Sequence, residues 1–276
     1  MPSAAGAPAP SVPAASDPIP GASAAPPPGT DHPVPWGMQI AVRYDKVHPP
    51  RRIDVAEAAA RAVVSLLAAP ESAPGGPWHD DVAHWRDGRI RKLVRRARGK
   101  RWEEIGQLPG ITVAQEGPLG WGTAAARAFV PGPVRPLPGV LAKTQVEGTH
   151  FPSGEDLPPP PAAVTAGLAD PAQAAGVIDL GAQSATADAL VTIEVTPWHE
   201  MSSGKLAAQC AHAAQLAWES PDMGEGLRRA WERDGFRVRV VRPSREQWEA
   251  VSRPVTVTDA GYTELDGPTL TTRAYW

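Results

Sequence analysis

Three polar residues, Lys205, Gln209 and His212, are spaced four and three positions apart in an alanine-rich stretch. This spacing places their side chains on one face of a helix, and the mostly Ala and Leu positions around them let the helix lie close against a sheet. Ser202 and Ser203 precede the stretch and can cap the helix start, where free N–H groups and the helix dipole favour an anion. A lysine in the first turn opposes that dipole, so its position indicates a phosphate or carboxylate nearby.

The same stretch resembles the start of the first helix in class II peptidyl-tRNA hydrolases, the archaeal and eukaryotic type. That family carries Gly-Lys-x-Ala-Ala-Gln-Cys-x-His-Ala there. The matching residues of this chain are Gly204, Lys205, Ala207, Ala208, Gln209, Cys210, His212 and Ala213. The family's second signature, Asp-Ala-Gly-x-Thr, occurs at residues 259–263. The resemblance covers residues 190–276.

The resemblance implies hydrolysis of the ester that joins a peptide to the 3′ ribose of tRNA, with free tRNA and peptide as products. The implied catalytic residues are Lys205, His212 and Asp259. Asp259 would orient or deprotonate the attacking water, and Lys205 would stabilise the developing oxyanion or a terminal phosphate. His212 would either shuttle protons or serve the fold by packing and hydrogen bonding. The implied substrate contacts are Gly204, Gln209 and Thr263, and no metal or cofactor is expected.

A second interpretation is a non-catalytic tRNA- or RNA-binding protein that retains the hydrolase fold. Departures from the family pattern favour it. Residues 198–201 lack the acidic–apolar pair that usually precedes the helix, and Tyr262 stands where the family often has Arg. Gly267 is followed by Pro268 in place of the usual Ser.

Two segments of the chain, residues 37–130 and 190–276, are similar to each other. The matching positions are Trp85 with Trp231, Trp102 with Trp248, and the run at 111–117 with the run at 255–261, at offsets of 144 to 146 residues. This repetition predicts a tandem duplication. Chance similarity between two alanine- and arginine-rich segments is the alternative.

Each copy is predicted to contain a strand, a helix, a short helix, a strand, a helix, a strand and a possible final strand. In the second copy we expect the first helix at 204–218, strands at 236–241 and 255–258, and an N-cap at Ser244. Alternating strands and helices predict an α/β fold. The expected architecture is two tandem small domains of two or three layers, each a mixed, mostly parallel four-stranded sheet with flanking helices.

The first copy lacks the chemical motif, because Gln115 stands where the second copy has Asp259. It carries a basic run instead, with nine Lys and Arg and one acidic residue between positions 86 and 101. Such a density of positive charge is typical of nucleic-acid binding, although a solvated charged surface is the alternative. The predicted tRNA contacts are Arg91, Lys92, Arg95 and Arg96. Trp85 and Trp102 flank the run and could stack on bases, but the repeat favours a core role.

Proline is concentrated outside the two copies. Of 33 prolines, 11 lie in residues 1–36 and 10 in residues 131–189. Both stretches are otherwise rich in Ala and bury little apolar surface, so we expect a disordered tail at 1–36 and a linker at 131–189. The formal net charge of −3 is therefore an average, since residues 37–130 alone carry 15 basic and 10 acidic residues.

The remaining composition narrows the class of protein. A single Cys excludes an intramolecular disulfide framework. No run of 18 apolar residues exists, and the start has neither early positive charge nor an apolar core typical of a signal peptide. We expect a soluble cytoplasmic protein that binds tRNA and no membrane. The two copies are expected to form a pseudo-dimer within one chain, and a higher oligomer is possible.

Overall fold

The computed structural model describes residues 34–88, 90–117, 121–153, 156, 184, 186–261 and 264–276. Residues Val34–Trp276 form one compact unit. The predicted tail up to residue 33, most of the predicted linker from 154 to 183, and Thr263 lie outside the described residues. In the part that is described, no helix is both long enough and apolar enough to cross a membrane.

The first half of the chain alternates strands and helices. Its elements are β1 (Trp36–Arg43), α1 (Arg52–Ala68), a 3-10 turn (Pro70–Ser72), α2 (His79–Asp87), β2 (Lys92–Ala97), α3 (Lys100–Ile105), β3 (Gly110–Gln115), β4 (Ala124–Phe129), β5 (Gly132–Pro133) and α4 (Gly139–Ala142). The main strands are ordered β2-β1-β4-β3, and β5 pairs with the start of β1.

The second half repeats this order. Its elements are β6 (Val191–Val195), α5 (Ser203–Glu219), α6 (Glu225–Arg233), β7 (Val238–Val241), α7 (Arg245–Ala250), β8 (Val255–Asp259) and β9 (Thr269–Tyr275). The strands are ordered β7-β6-β9-β8, which matches the first sheet strand for strand. The predicted α/β class with two mixed sheets is therefore confirmed. Ser244 caps α7 as expected, and Gln247 completes a capping box with it.

The expectation of mostly parallel sheets was wrong. Along the four-strand path of each sheet, only β1–β2 and β6–β7 are parallel, and the other pairs are antiparallel. The reason is loop length. The strands of β3–β4 and of β8–β9 are joined by short loops, which permit only an antiparallel return, whereas helices connect the two parallel pairs.

The two halves pack against each other through α1 and α5. Both helices are rich in alanine, which has the highest helix propensity and lets two backbones approach closely. Each hydrophobic core includes residues of the other half's helix. Ala56, Ala60 and Val64 of α1 belong to the core of the second half, and Ala207 and Ala211 of α5 belong to the core of the first.

Two tryptophans mark equivalent corners of the halves. Trp85 and Trp231 are fully buried. The indole N–H of Trp85 donates to the carbonyl of Arg91 at 3.2 Å, and that of Trp231 donates to the carbonyl of Arg237 at 2.8 Å. Each bond joins a helix to the residue just before an edge strand. Trp85 therefore has the core role that the repeat favoured and does not stack on a base.

The first part of the predicted linker is structured, contrary to our expectation. Residues 131–153 include β5 and α4, and they contribute Leu141 and Phe151 to the hydrophobic cores. Leu141 is 2% exposed and Phe151 is fully buried. A few large apolar side chains among the prolines are thus enough to hold this stretch against the first sheet.

Candidate functional site

Lys205 and Asp259 form an ion pair at one edge of the second sheet. Lys205 lies in the first turn of α5, and Asp259 is the last residue of β8. Lys205 Nζ lies 2.6 Å from Asp259 Oδ1, and the side chains are 11% and 14% exposed. The fold brings the two sequence motifs into direct contact, as an active site built from both would require.

The Asp259 carboxylate is held by three donors. Oδ1 accepts hydrogen bonds from Lys205 and from Gln209 Nε2, the latter at 3.1 Å, and Oδ2 accepts one from the Gly261 N–H at 3.0 Å. An ionised carboxylate offers about four lone-pair positions. Among the described residues, these three fill all but one position, on Oδ2, where a water molecule could be held.

Gln209 is oriented by a residue that the sequence analysis missed. Thr271 Oγ1 in β9 donates to Gln209 Oε1 at 2.7 Å, which leaves the amide N–H groups to face Asp259. Thr272 Oγ1 donates to the Gln209 backbone carbonyl at 3.2 Å. Thr271 is fully buried and Gln209 is 7% exposed. A final strand was expected, but only the hydrogen bond of Thr271 to Gln209 shows that this residue faces α5.

The predicted anion at the start of α5 is supplied by the chain itself. The Ser202 hydroxyl caps the helix by accepting from the Lys205 N–H at 3.2 Å. Glu264 accepts from the Ser202 N–H at 2.9 Å and from the Ser202 hydroxyl at 2.5 Å. Asp259 and Glu264 are therefore the carboxylates near the helix dipole and Lys205. Glu264 was also missed, although it follows the second motif directly.

His212 takes no part in the ion pair. It forms no hydrogen bond with Asp259 among the described residues, and Lys92 of β2 is the charge that acts on it. Burial, reinforced by the positive charge of Lys92, lowers the pKa of His212 to about 3. A neutral imidazole between the two halves fits a packing role, which is the second of the two roles considered for it.

The other expected substrate contacts have different surroundings. Gly204 faces Thr149, because a Cβ at Gly204 would lie 3.5 Å from the Thr149 Cβ. The neighbouring Ser203 hydroxyl accepts from the Phe151 N–H at 2.9 Å, so the first part of the predicted linker lies over the start of α5. Thr263 is outside the described residues.

The four basic residues predicted to bind tRNA do not share one surface. Neighbouring residues of a strand point to opposite faces, and β2 therefore divides the run. Lys92 donates to Gln215 of α5 and lies 5.0 Å from the Trp85 ring centroid. Arg95 is 8% exposed and donates to Gln39 Oε1 at 2.6 Å. Arg96 bonds to Gln145 and lies over Tyr44, and Arg91 is half-buried.

The first half carries a different set of polar groups at the equivalent position. When the two 17-residue helices α1 and α5 are aligned from their first residues, Asp54 takes the place of Lys205. Gln115 ends β3 as Asp259 ends β8, and it hydrogen-bonds both Asp54 and Glu57. Arg51 pairs with Asp54 at 2.6 Å, both fully buried. This cluster has no lysine, and its members are at most 5% exposed.

Two further observations bear on the chemistry. Burial raises the pKa of the Cys210 thiol far above its ordinary value, so it is not a thiolate nucleophile. Within the described residues, no three His, Cys, Asp or Glu side chains are grouped so that they could hold a metal ion.

Comparison of the chain with protein-family models, with curated proteins and with solved structures gives no match in any of the three.

Proposed function

We propose that the protein hydrolyses the ester bond of peptidyl-tRNA, releasing tRNA and peptide, at the site formed by Lys205 and Asp259. The observation that carries the proposal is the 2.6 Å contact between these two side chains, which come from separate motifs 54 residues apart. Their resemblance to the two signatures of class II peptidyl-tRNA hydrolases supplies the substrate class. By the same resemblance, we propose a cytoplasmic location and tRNA as the partner.

The proposed reaction needs a nucleophile and a stabiliser of negative charge. Asp259 holds a water molecule at the remaining lone pair of Oδ2 and accepts its proton as the water oxygen attacks the ester carbonyl. Lys205 turns toward the oxyanion that develops. The ester C–O bond then breaks, and the proton passes to the 3′ oxygen of the ribose. Gln209 keeps the carboxylate in place when Lys205 moves to the substrate.

A non-catalytic RNA-binding protein with this fold is the second candidate. The observation that favours it is the pairing itself, because Lys205 and Asp259 are each at most 14% exposed and neutralise each other. Without a movement of Lys205, such a pair would be a structural salt bridge. The departures at residues 198–201 and at Tyr262 agree with this candidate.

The test is release of tRNA from diacetyl-lysyl-tRNA by purified protein. We expect wild type to be active, and Lys205→Ala and Asp259→Asn to lose about 100-fold or more, since each removes a group that acts in the transition state. Asp266→Asn, a change of the same type at an exposed acid nearby, should keep full activity. Inactive wild-type protein that still binds tRNA would establish the second candidate instead.

A further inference from the structure

Two arginines from different halves of the chain meet at one carboxylate. Arg52 of α1 places Nη1 3.2 Å from Glu200 Oε2, and Arg242, just after β7, donates Nη1 to Glu200 Oε1. The Glu200 side chain is 67% exposed, whereas that of Arg52 is 18% exposed and that of Arg242 is 41% exposed. The exposed carboxylate thus lies over two arginines that are less exposed than it is.

The arginines also bond backbone carbonyls, which do not depend on the position of the Glu200 side chain. Arg242 donates Nη2 to the His199 carbonyl at 2.7 Å and Nε to the Thr196 carbonyl at 3.2 Å. Arg52 donates Nη2 to the Met201 carbonyl, and its Nε is buried with no partner among the described residues. If Glu200 moved out into solvent, both guanidinium groups would keep their backbone contacts. They would then present a preformed site for another anion.

An apolar pocket adjoins the arginines. Its volume is about 140 Å³, and its apolar lining includes Ile53, Val195, Met201, Leu206 and Val240. The same lining includes Arg52, Glu200 and Arg242. A ligand that combines a negative group with an apolar or planar group matches this arrangement.

The pocket lies on the same edge of the sheet as Lys205 and Asp259. β6 and β7 are parallel, and β8 runs in the same direction because both β6 and β8 are antiparallel to β9. Strands in a sheet are about 4.8 Å apart, so Asp259 on β8 is about 10 Å from β6 and about 14 Å from β7 across the sheet. The terminal nucleotides of a single strand can bridge that separation.

Charge favours an anion with more than one oxygen at this position. Burial acts to raise the pKa of Glu200, but the hydrogen bonds and charges of Arg242 and Arg52 outweigh it and lower the pKa. The carboxylate is therefore a charged group that can be exchanged for another. An arginine binds a phosphate through two parallel N–H groups, and two arginines can bind one phosphate from two sides.

We propose that Arg52 and Arg242 bind a backbone phosphate of the single-stranded 3′ end of tRNA, at the position that the Glu200 carboxylate occupies in its absence. This rests on the proposed function, which places the esterified ribose at Asp259. Glu200 competes with the phosphate, and the pocket takes the adjoining base. The site is shared between the halves, which gives the first half a role in binding although its own equivalent of the ion pair carries no lysine.

The test is binding of a fluorescein-labelled single-stranded RNA hexamer ending in CCA, measured by anisotropy on the full chain. Arg52→Gln and Arg242→Gln should each weaken binding about tenfold and lower the salt slope by about one. Glu200→Gln should strengthen binding at least threefold, because it removes the competing charge. The matched controls are Arg229→Gln and Glu225→Gln, which change an exposed Arg–Glu pair on α6 and should leave binding as in wild type.

Several results would overturn the proposal. These are unchanged or weaker binding in Glu200→Gln, equal losses in Arg229→Gln and Arg242→Gln, or inorganic phosphate binding as tightly as the hexamer. Circular dichroism of each variant excludes loss of fold as the cause. Because the hexamer carries no ester, this result is independent of hydrolysis. Turnover that persists while the hexamer fails to bind would reject this site and leave the proposed function standing.

Discussion

The two halves of the chain have the same fold, but the polar residues at equivalent positions differ in their exposure to solvent. In the second half, Lys205 and Asp259 are 11% and 14% exposed and lie at the sheet edge. In the first half, Asp54 and Glu57 are fully buried and Gln115 is 5% exposed. A strand end beside a helix start is thus a position where this fold tolerates polar groups. Burial decides whether they can meet a substrate.

The buried cluster of the first half joins the two halves. Glu57 Oε1 accepts from the Val240 N–H of β7 at 2.9 Å, and Arg61 donates Nε to the Gly235 carbonyl at 3.1 Å. β7 is an edge strand, so Glu57 satisfies a backbone N–H that would otherwise be unpaired there. The cluster of the first half therefore has a structural role, whereas the proposed chemistry belongs to Lys205 and Asp259 of the second half.

The largest pH-dependent effect expected from this contrast is on stability and concerns Glu57. Burial raises its pKa to about 7 from 4.5, so the folded protein binds a proton that the unfolded chain releases between these values. Stability from this group is therefore greatest at low pH and falls as pH rises from 4.5 through 7, by about 2 to 3 kcal/mol between pH 5 and pH 8. Glu57→Gln should remove this loss.

Urea unfolding of wild type and Glu57→Gln at pH 5 and pH 8 measures the difference. The advantage of the variant over wild type should be greater at pH 8. The exposed Glu225→Gln serves as the matched control and should show no such change. Equal pH dependence in wild type and Glu57→Gln would contradict the assignment of a buried, protonated carboxyl.

A smaller effect is expected at Thr271, which acts on the ion pair through Gln209. Thr271→Val keeps the shape of the side chain but leaves Gln209 Oε1 without its donor, so the amide can turn away from Asp259. We expect hydrolysis to fall about tenfold, the cost of a lost buried hydrogen bond. Thr271→Ser keeps the hydroxyl and should restore kcat. Equal kcat for Val and Ser variants would remove Thr271 from the positioning of Asp259.

The smallest effects are expected in the basic run. Arg98 and Lys100 are exposed, whereas Lys92 and Arg95 are engaged inside the protein. Neutralising Arg98 and Lys100 together should lower the salt slope of tRNA binding by up to about two. Arg95→Gln should instead reduce stability, because it removes the hydrogen bond that the buried Arg95 donates to Gln39 Oε1. An unchanged slope in the double variant would exclude tRNA from this surface.

Much of the fold could be predicted from local sequence patterns. The spacing of Lys205 and Gln209 indicated a shared helix face, and the repeated tryptophans indicated equivalent corners in two halves. Both follow from the helical period and from residue type. These patterns did not predict the strand directions. Alternating strands and helices predict parallel strands, but the short loops after β3 and β8 force an antiparallel return.

The contacts that sequence patterns could not predict depend on how the strands pair and on which side chains are buried. Thr271 meets Gln209 where the register between β8 and β9 shifts after Val257, and Glu264, directly after the second motif, reaches Ser202. The basic run has a density typical of nucleic-acid binding, but Lys92 on one face of β2 and Arg95 on the other both bond inside the protein. Charge counted along a strand overstates charge on a surface.

The most direct test of the contrast between the halves compares two equivalent substitutions, Asp259→Asn and Asp54→Asn. Both are measured for hydrolysis of diacetyl-lysyl-tRNA per folded molecule and for free energy of unfolding. We predict that Asp259→Asn folds with nearly wild-type stability and loses hydrolysis. Asp54→Asn should lose about 3 to 5 kcal/mol, because it breaks a buried ion pair, and should keep hydrolysis in the molecules that remain folded. Full hydrolysis in Asp259→Asn, or its loss in folded Asp54→Asn, would contradict the account.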